Sequence, residues 1–107
     1  MLGKARLREG EAAQATVPLE RARRLEPEKA SIREALGIAY FRITHWHAAE
    51  LEFRKVLELS PVDDYAHYAL GRTLLKQGLQ KEASVHLKLA HCLRPRDPDE
   101  PSLDGGG

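Results

Sequence analysis

A period of 34 residues runs through this chain and limits the folds that it can adopt. Three prolines are separated by 34 residues twice: Pro27, Pro61 and Pro95. The same interval relates three Leu-Gly pairs, which lie at residues 2–3, 36–37 and 70–71. Because these matches stay in phase without an insertion, they indicate one structural unit that is repeated along the chain.

Each unit has the pattern of two helices joined by a short turn. Apolar residues recur at three- and four-residue steps in the second and third units, as in amphipathic helices. The predicted helices are Ala30–Ile43, Trp46–Leu59, Asp64–Gln77 and Gln80–Leu93. Turns are predicted at Thr44 and Gly78, and Asp63 or Asp64 is the expected N-cap of the third unit. In the first unit we expect a shortened helix to about Glu9, a break at Gly10 and a second helix to Leu25.

Small residues at matched positions predict how the two helices of a unit pack. Gly37 and Gly71 lie inside predicted helices, where glycine costs about 1 kcal/mol relative to alanine. Ala49 and Ala83 lie at matching places on the second helices. Small residues facing each other let two helix axes approach closely. We therefore expect antiparallel packing of the two helices in each unit.

The composition changes abruptly after the last repeated proline. Residues 96–107 contain two prolines, three glycines and four acidic residues, with Leu103 as the only large apolar side chain. Such a segment buries too little apolar surface to order itself. The predicted organisation is a helical repeat domain over residues 1–95, with units 1–27, 28–61 and 62–95, followed by a disordered acidic tail.

This pattern resembles the tetratricopeptide repeat (TPR) family. The matching residues are Leu36-Gly37, Tyr40, Ala49, Phe53, Pro61, Leu70-Gly71, Gly78, Ala83, Ala90 and Pro95. Thr44 and Leu74 depart from the glycine and tyrosine usual in the family, as does Arg6 in the first unit. The resemblance implies an all-α solenoid, a superhelix of antiparallel helix pairs with about three repeats, the first of them truncated.

Composition and motifs exclude several functional classes. The chain has 107 residues, a net charge of +1 and one cysteine, and its charged N-terminal residues do not match a signal peptide. No apolar run is long enough for a bilayer, so a soluble, cytoplasmic location is expected. No phosphate loop, nucleophile elbow or zinc-ligand spacing is present in the sequence. We therefore expect a protein that is not an enzyme and has no cofactor and no metal site.

The resemblance also implies where a ligand would bind. In the TPR family the concave face of the superhelix is lined mainly by the first helix of each pair. The residues that this assigns to a peptide-binding groove are Lys4, Arg8, Ile38, Phe41, Arg42, Tyr65, Tyr68, Arg72 and Lys76. Basic groups alternating with aromatic rings suit a short acidic peptide or a C-terminal carboxylate. The predicted function is protein–protein interaction, as a scaffold or adaptor.

Two alternatives remain open from the sequence. Open repeat arrays need polar caps, and here no further helix is predicted to cover Val85, Leu89 and Leu93. The chain therefore either belongs to a longer array, or self-associates through its ends, or covers this surface with its own tail. Helical repeats also bind RNA, and eleven of the basic residues are arginines. The repeat region up to Leu93 has only 15 basic against 12 acidic residues, which disfavours the nucleic-acid alternative.

Overall fold

The computed structural model describes residues 2–94, with side chains from residue 10 onward. This part of the chain is all-helical, as predicted, and consists of α1 (Leu2–Leu25), α2 (Ala30–Arg42), α3 (Trp46–Leu59), α4 (Asp64–Lys76) and α5 (Gln80–Leu93). None of these helices has both the length and the apolar character needed to cross a bilayer. The predicted acidic tail, residues 96–107, lies outside the described residues.

The helices of the second and third units begin and end within one residue of the predicted positions. The N-cap of α4 is Asp63, whose Oδ1 accepts a hydrogen bond of 3.0 Å from the backbone N–H of Ala66. This bond satisfies one of the N–H groups that a helix N-terminus leaves without an intrahelical partner.

The break predicted at Gly10 was wrong, because α1 passes through this residue as one continuous helix of 24 residues. Gly10 has no positive φ, and helix-forming residues, Glu11 and Ala12, follow it directly. A single glycine inside a helix costs only about 1 kcal/mol and does not by itself impose a turn. The first unit is therefore one long helix, whereas the second and third units are helix pairs.

Helices adjacent in the chain pack against each other: α1 on α2, α2 on α3, α3 on α4 and α4 on α5. The first helices of the second and third units, α2 and α4, also touch. The core cluster of buried residues is Leu36, Tyr40, Phe41, Ala49, Phe53, Ala69, Leu70, Leu74 and Ala83. It draws on both helix pairs, so each pair is stabilised by its neighbour as well as by its own contacts.

Gly37 and Gly71 mark close approaches between helices, although their nearest neighbours differ from the prediction. A Cβ added at Gly37 would lie 2.7 Å from the ring of Phe53, and one at Gly71 would lie 2.7 Å from the side chain of Leu87. The predicted small partner Ala83 contributes only its carbonyl oxygen, which would lie 3.3 Å from the Cβ added at Gly71. The glycines therefore make room for large side chains one helical turn beyond the alanines.

A buried carboxylate joins the first three helices. Glu52 on α3 is 4% exposed and accepts hydrogen bonds from Arg23 on α1 and from Arg33 on α2, the latter at 3.1 Å. A buried charge that loses its partner is costly. Helix arrangements that separate Glu52 from the two arginines are therefore disfavoured. Glu52 thus fixes the position of α1 relative to the helix pair α2–α3.

The turns inside the second and third units have the same backbone geometry. Gly78 has φ +80°, and the N–H of Leu79 donates to the carbonyl of Leu74 at 3.0 Å. At the equivalent place Thr44 has φ +64°, and the N–H of His45 donates to the carbonyl of Tyr40 at 2.9 Å. Both turns end a helix with a left-handed residue, a conformation that glycine adopts without strain and a β-branched residue does not.

We expect Thr44→Gly to raise the free energy of unfolding by about 1 kcal/mol. The substitution removes left-handed strain of about 1–2 kcal/mol, partly offset by the greater backbone freedom of glycine in the unfolded chain. Urea unfolding followed by circular dichroism measures the change. Gly78→Ala is the matched reverse experiment and should lower stability by a similar amount. Its added Cβ meets no atom within 4 Å, so the loss would come from the left-handed backbone alone. A loss of stability in Thr44→Gly would contradict the strain.

Candidate peptide-binding groove

The described residues predicted for the groove all lie on α2 and α4. Ile38 and Arg72 occupy equivalent positions 34 residues apart, as do Arg42 and Lys76 at the helix C-termini. We call this surface the α2/α4 face; its predicted members are Ile38, Phe41, Arg42, Tyr65, Tyr68, Arg72 and Lys76. The side chains of Lys4 and Arg8, also predicted here, lie outside the described residues.

Phe41 is a core residue and does not present an exposed ring. It is 3% exposed and belongs to the main buried cluster. Its ring packs edge-on against Trp46 at the start of α3, with centroids 5.0 Å apart. A periodic pattern in the sequence shows which residues share one side of a helix, but not which of them a neighbouring helix covers. Here Phe41 is covered.

Trp46 was not among the predicted groove residues, yet it lies at the basic end of the α2/α4 face. It is half-buried, and the Nζ atom of Lys76 lies 5.7 Å from the centroid of its ring. This geometry is a cation–π contact between two consecutive helices, α3 and α4. The sequence contained one indication of this position. Trp46 begins the helix directly after the turn that follows α2, so it had to lie near the C-terminus of α2.

Tyr65 and Tyr68 form a second aromatic pair near the start of α4. Their ring centroids are 6.2 Å apart with an interplanar angle of 48°. Both residues are half-buried and pack against the core cluster, so part of each ring remains accessible. Half-buried tyrosines offer rigid contact area at low conformational cost to a ligand.

Two cations of the α2/α4 face, Arg42 and Lys76, differ in pairing from Arg54 and Lys55 on α3. Arg54 contacts Glu50 and Glu82 at 2.8 and 2.6 Å, and Lys55 contacts two further glutamates at 3.5 Å. Arg42 and Lys76 are exposed, and within residues 10–94 neither lies within the 4.0 Å of a carboxylate that defines an ion pair. Two cations without a carboxylate partner in the described chain thus lie at the same end of this face.

The opposite end of the face is acidic. Burial raises the pKa of Glu34 above its usual value, and the charges of Asp63 and Asp64 raise it further. These three carboxylates lie near the N-terminal ends of α2 and α4, whereas Arg42 and Lys76 end the same helices. The α2/α4 face therefore has one acidic and one basic end.

A separate cluster joins His67 on α4 to His86 on α5, a contact that their spacing in the sequence does not indicate. The Nε2 atom of His67 lies 2.9 Å from the carbonyl oxygen of Pro61, and since a carbonyl only accepts, Nε2 donates. The Nδ1 atom of neutral His67 then accepts from Nδ1–H of His86 at 3.1 Å. Arg54 and Glu58 line the same hollow. The cation of Arg54 beside the pair makes it unsuited to a metal ion.

Acidification is expected to weaken the fold through this pair. Burial, then His67 and Arg54, lower the pKa of His86 below 6.5, while Glu82 opposes the shift. A histidine with a lowered folded-state pKa binds fewer protons when folded than when unfolded, so its contribution is full above pH 6.5 and falls as the pH drops toward the folded-state pKa. Urea unfolding at pH 8 and pH 5.5 should show a smaller decrease for His86→Gln than for the unchanged chain. An equal decrease in the two chains would contradict a contribution of His86 to the pH dependence.

Comparison with known proteins assigns no family. The chain matches no protein-family model, and no curated protein is significantly similar to it. Within the described residues, no three histidine, cysteine or acidic side chains are grouped to hold a metal ion. The features that distinguish the α2/α4 face are therefore its charges and its aromatic contacts.

Proposed function

We propose that this chain is a non-catalytic protein-interaction module built as a TPR-like array of helix pairs, in which the α2/α4 face binds a short acidic peptide segment or a C-terminal carboxylate. The 34-residue period and the two helix pairs support the architecture. The charges and aromatic rings of the α2/α4 face support the ligand class.

The observation that carries the proposal is the place of two exposed cations, Arg42 and Lys76, which end α2 and α4 beside the ring of Trp46. Arg54 and Lys55 are neutralised by glutamates of the chain itself. Within residues 10–94 no carboxylate lies within 4.0 Å of Arg42 or Lys76, and Lys76 lies over the ring of Trp46. A peptide carboxylate at this end would form charge-assisted hydrogen bonds, the stronger class of such bonds, while its apolar side chains would contact the ring.

The opposite charges at the two ends of the α2/α4 face also favour one orientation of the bound peptide. Glu34, Asp63 and Asp64 repel a carboxylate, whereas Arg42 and Lys76 attract one. An acidic C-terminus would therefore lie at the basic end, with the preceding residues running along Tyr65 and Tyr68 toward the N-terminal end of α4. Uniformly acidic peptides would be disfavoured at that second end.

Selection from a library of peptides displayed with free C-termini tests this function. We expect enrichment of sequences whose last three or four residues contain Asp or Glu, preceded by an aromatic or branched apolar residue. Selected peptides should lose affinity as salt concentration rises, since exposed charges are screened over about 8 Å at physiological ionic strength. Enrichment of basic peptides, or of sequences without charge, would contradict the proposal.

A further inference from the structure

The helix pair α4–α5 carries a mainly apolar hollow on one side. The hollow has a volume of about 480 Å³, and its walls include Leu75, Ser84, Leu87, Lys88, His91 and Cys92. We call these six residues the α5 surface, since all but Leu75 lie on α5, the last helix of the described chain. Because the chain is periodic, this surface has counterparts on the preceding helices.

One period earlier the same surface exists on the pair α2–α3, and there α4 covers it. The counterparts of the six residues are Phe41, Glu50, Phe53, Arg54, Leu57 and Glu58. The last three line a hollow together with His67 and Leu70 of α4. Glu50 near the start of α3 accepts a hydrogen bond of 2.8 Å from the side-chain amide of Gln77, at the end of α4. The covering helix α4 therefore lies antiparallel to α3.

In the first unit α2 covers the corresponding surface of α1. Glu20 of α1, the counterpart of Arg54 and Lys88, accepts a hydrogen bond of 2.6 Å from the hydroxyl of Tyr40 on α2. Arg33 of α2 donates to the carbonyl of Pro27 at 3.0 Å, and its counterpart His67 of α4 donates to that of Pro61 at 2.9 Å. The surface thus occurs three times in the described chain. It is covered by α2 and by α4, and it is open on α5.

The residues of the α5 surface are more exposed than their counterparts on α3. Phe53 is fully buried, whereas Leu87 at the same place is half-buried. Leu57 is half-buried, and its counterpart His91 is exposed. The walls that α4 covers on α3 are therefore partly open to solvent on α5, and contiguous exposed apolar surface marks interaction sites.

Val85 does not belong to this surface, although the sequence grouped it with residues that a further helix would cover. Its counterpart Leu51 is 54% exposed, even though α4 follows the pair α2–α3. A covering helix therefore leaves this side of the second helix of a pair open to solvent. Val85 is thus a control position on the same helix as the α5 surface.

Lys88 gives the α5 surface a charge that the chain itself does not neutralise. Its counterpart Arg54 contacts Glu50 of α3 at 2.8 Å and Glu82 of α5 at 2.6 Å. The counterpart of Glu50 on α5 is Ser84, and within residues 10–94 no carboxylate lies within 4.0 Å of Lys88. In the covering helix α4, His67 shares a hollow with Arg54. A helix on the α5 surface would gain a charge-assisted contact from a carboxylate at the place of His67.

A second copy of this chain is a poor match for this surface. The leucines of α2 and α4 that pack on the preceding helices, Leu36 and Leu70, are buried inside the chain. The exposed helix α5 carries Lys81 and Lys88, and its one carboxylate, Glu82, is bound to Arg54. Pairing two copies of α5 would bring cations together without a free carboxylate, and like charges disfavour such an interface.

We propose that the α5 surface binds an amphipathic α-helix of another protein, which lies antiparallel to α5 as α4 lies against α3. The chemistry of that helix follows from α4. It has a carboxylate at the place of His67, a leucine at that of Leu70 and a second large apolar residue at that of Leu74. These positions are three and four residues apart, so they share one face of a helix. The site is separate from the α2/α4 face and does not depend on the ligand of that face.

A peptide with the sequence of residues 62–77 and the substitution His67→Glu provides the probe. We expect its fluorescence anisotropy, measured with an attached fluorescein, to rise saturably as the full chain is added. Leu75→Glu combined with Lys88→Glu in the chain should weaken this binding at least about tenfold, because the change removes an apolar wall and reverses the charge. Both residues are exposed, so the helical content should be unchanged.

Val85→Glu combined with Lys81→Glu is the matched control, since it makes the same chemical changes at two exposed positions of α5 outside the surface. This variant should retain its affinity within a few-fold. A probe with the additional substitution Leu70→Asp should lose at least about tenfold in affinity, because it places a charge at the central apolar contact.

Several results would overturn the proposal. These are no binding of the probe, equal losses in the two double variants, or displacement of the probe by a peptide with an acidic C-terminus, which would place it on the α2/α4 face. A dimer of the unchanged chain that Leu75→Glu with Lys88→Glu dissociates would assign the surface to a second copy. A tenfold gain in probe affinity on Leu103→Asp would assign it to the tail of the chain itself.

Discussion

Phe53→Ala is expected to lower the free energy of unfolding by about 3–5 kcal/mol, the largest effect of a single truncation in this molecule. The Phe53 side chain is fully buried and lies in the cluster shared by both helix pairs. Its ring lies against Gly37, which has no side chain to fill the space that the ring would leave. Because small domains are stable by only about 5–15 kcal/mol, much of the total would be lost.

Leu51→Ala is the matched control for this prediction, since Leu51 lies on the same helix and is 54% exposed. Urea unfolding followed by circular dichroism gives both values. The control should change stability by less than about 1 kcal/mol, because little apolar surface returns to water. Similar losses in the two variants would contradict a core centred on Phe53.

Arg42→Glu combined with Lys76→Glu is expected to weaken binding of an acidic peptide at least about a hundredfold. Each cation would make a charge-assisted contact worth about 1.5–3 kcal/mol, and reversal replaces attraction by repulsion. Both side chains are exposed, so the helical content should be unchanged. Cations in the last turn of a helix also offset its dipole, and the melting temperature should therefore fall slightly.

Arg24→Glu combined with Lys81→Glu is the control, because it makes the same change in net charge at two exposed positions outside the α2/α4 face. Isothermal titration with a selected acidic peptide compares the two double variants. The control should retain its affinity within a few-fold. Equal losses in both variants would show that bulk charge alone attracts the peptide, and intact binding in the groove variant would place the site elsewhere.

The sequence predicted the helix pairs closely because their signals were local and repeated. Proline after Leu59, the cap at Asp63 and the left-handed turn at Gly78 each restrict the backbone at one place. Gly10 failed as a predictor because a glycine permits a turn without requiring one. Whether the chain turns at Gly10 or continues as a helix depends on contacts between distant residues, and the sequence does not show such contacts.

The candidate site was less predictable because it depends on packing between helices. The periodic pattern placed Arg42 and Lys76 at equivalent positions, and the structure has them at the C-terminal ends of α2 and α4. It did not reveal that Trp46 covers Phe41, because that contact joins different helices at an angle that the sequence does not specify. Nor did it indicate which cations are neutralised, since the partners of Arg54 lie 4 and 28 residues away.

The fluorescence of Trp46 provides the most direct test of peptide binding at the α2/α4 face. Trp46 is the only tryptophan of the chain, and the ammonium group of Lys76 lies over its ring. Titration with a tryptophan-free peptide that ends in acidic residues should change the emission saturably, and the change should diminish with added salt. The same peptide with Asn and Gln in place of Asp and Glu and an amidated C-terminus should produce no change. An unchanged emission with the acidic peptide, or an equal response to the neutral one, would contradict the proposed function.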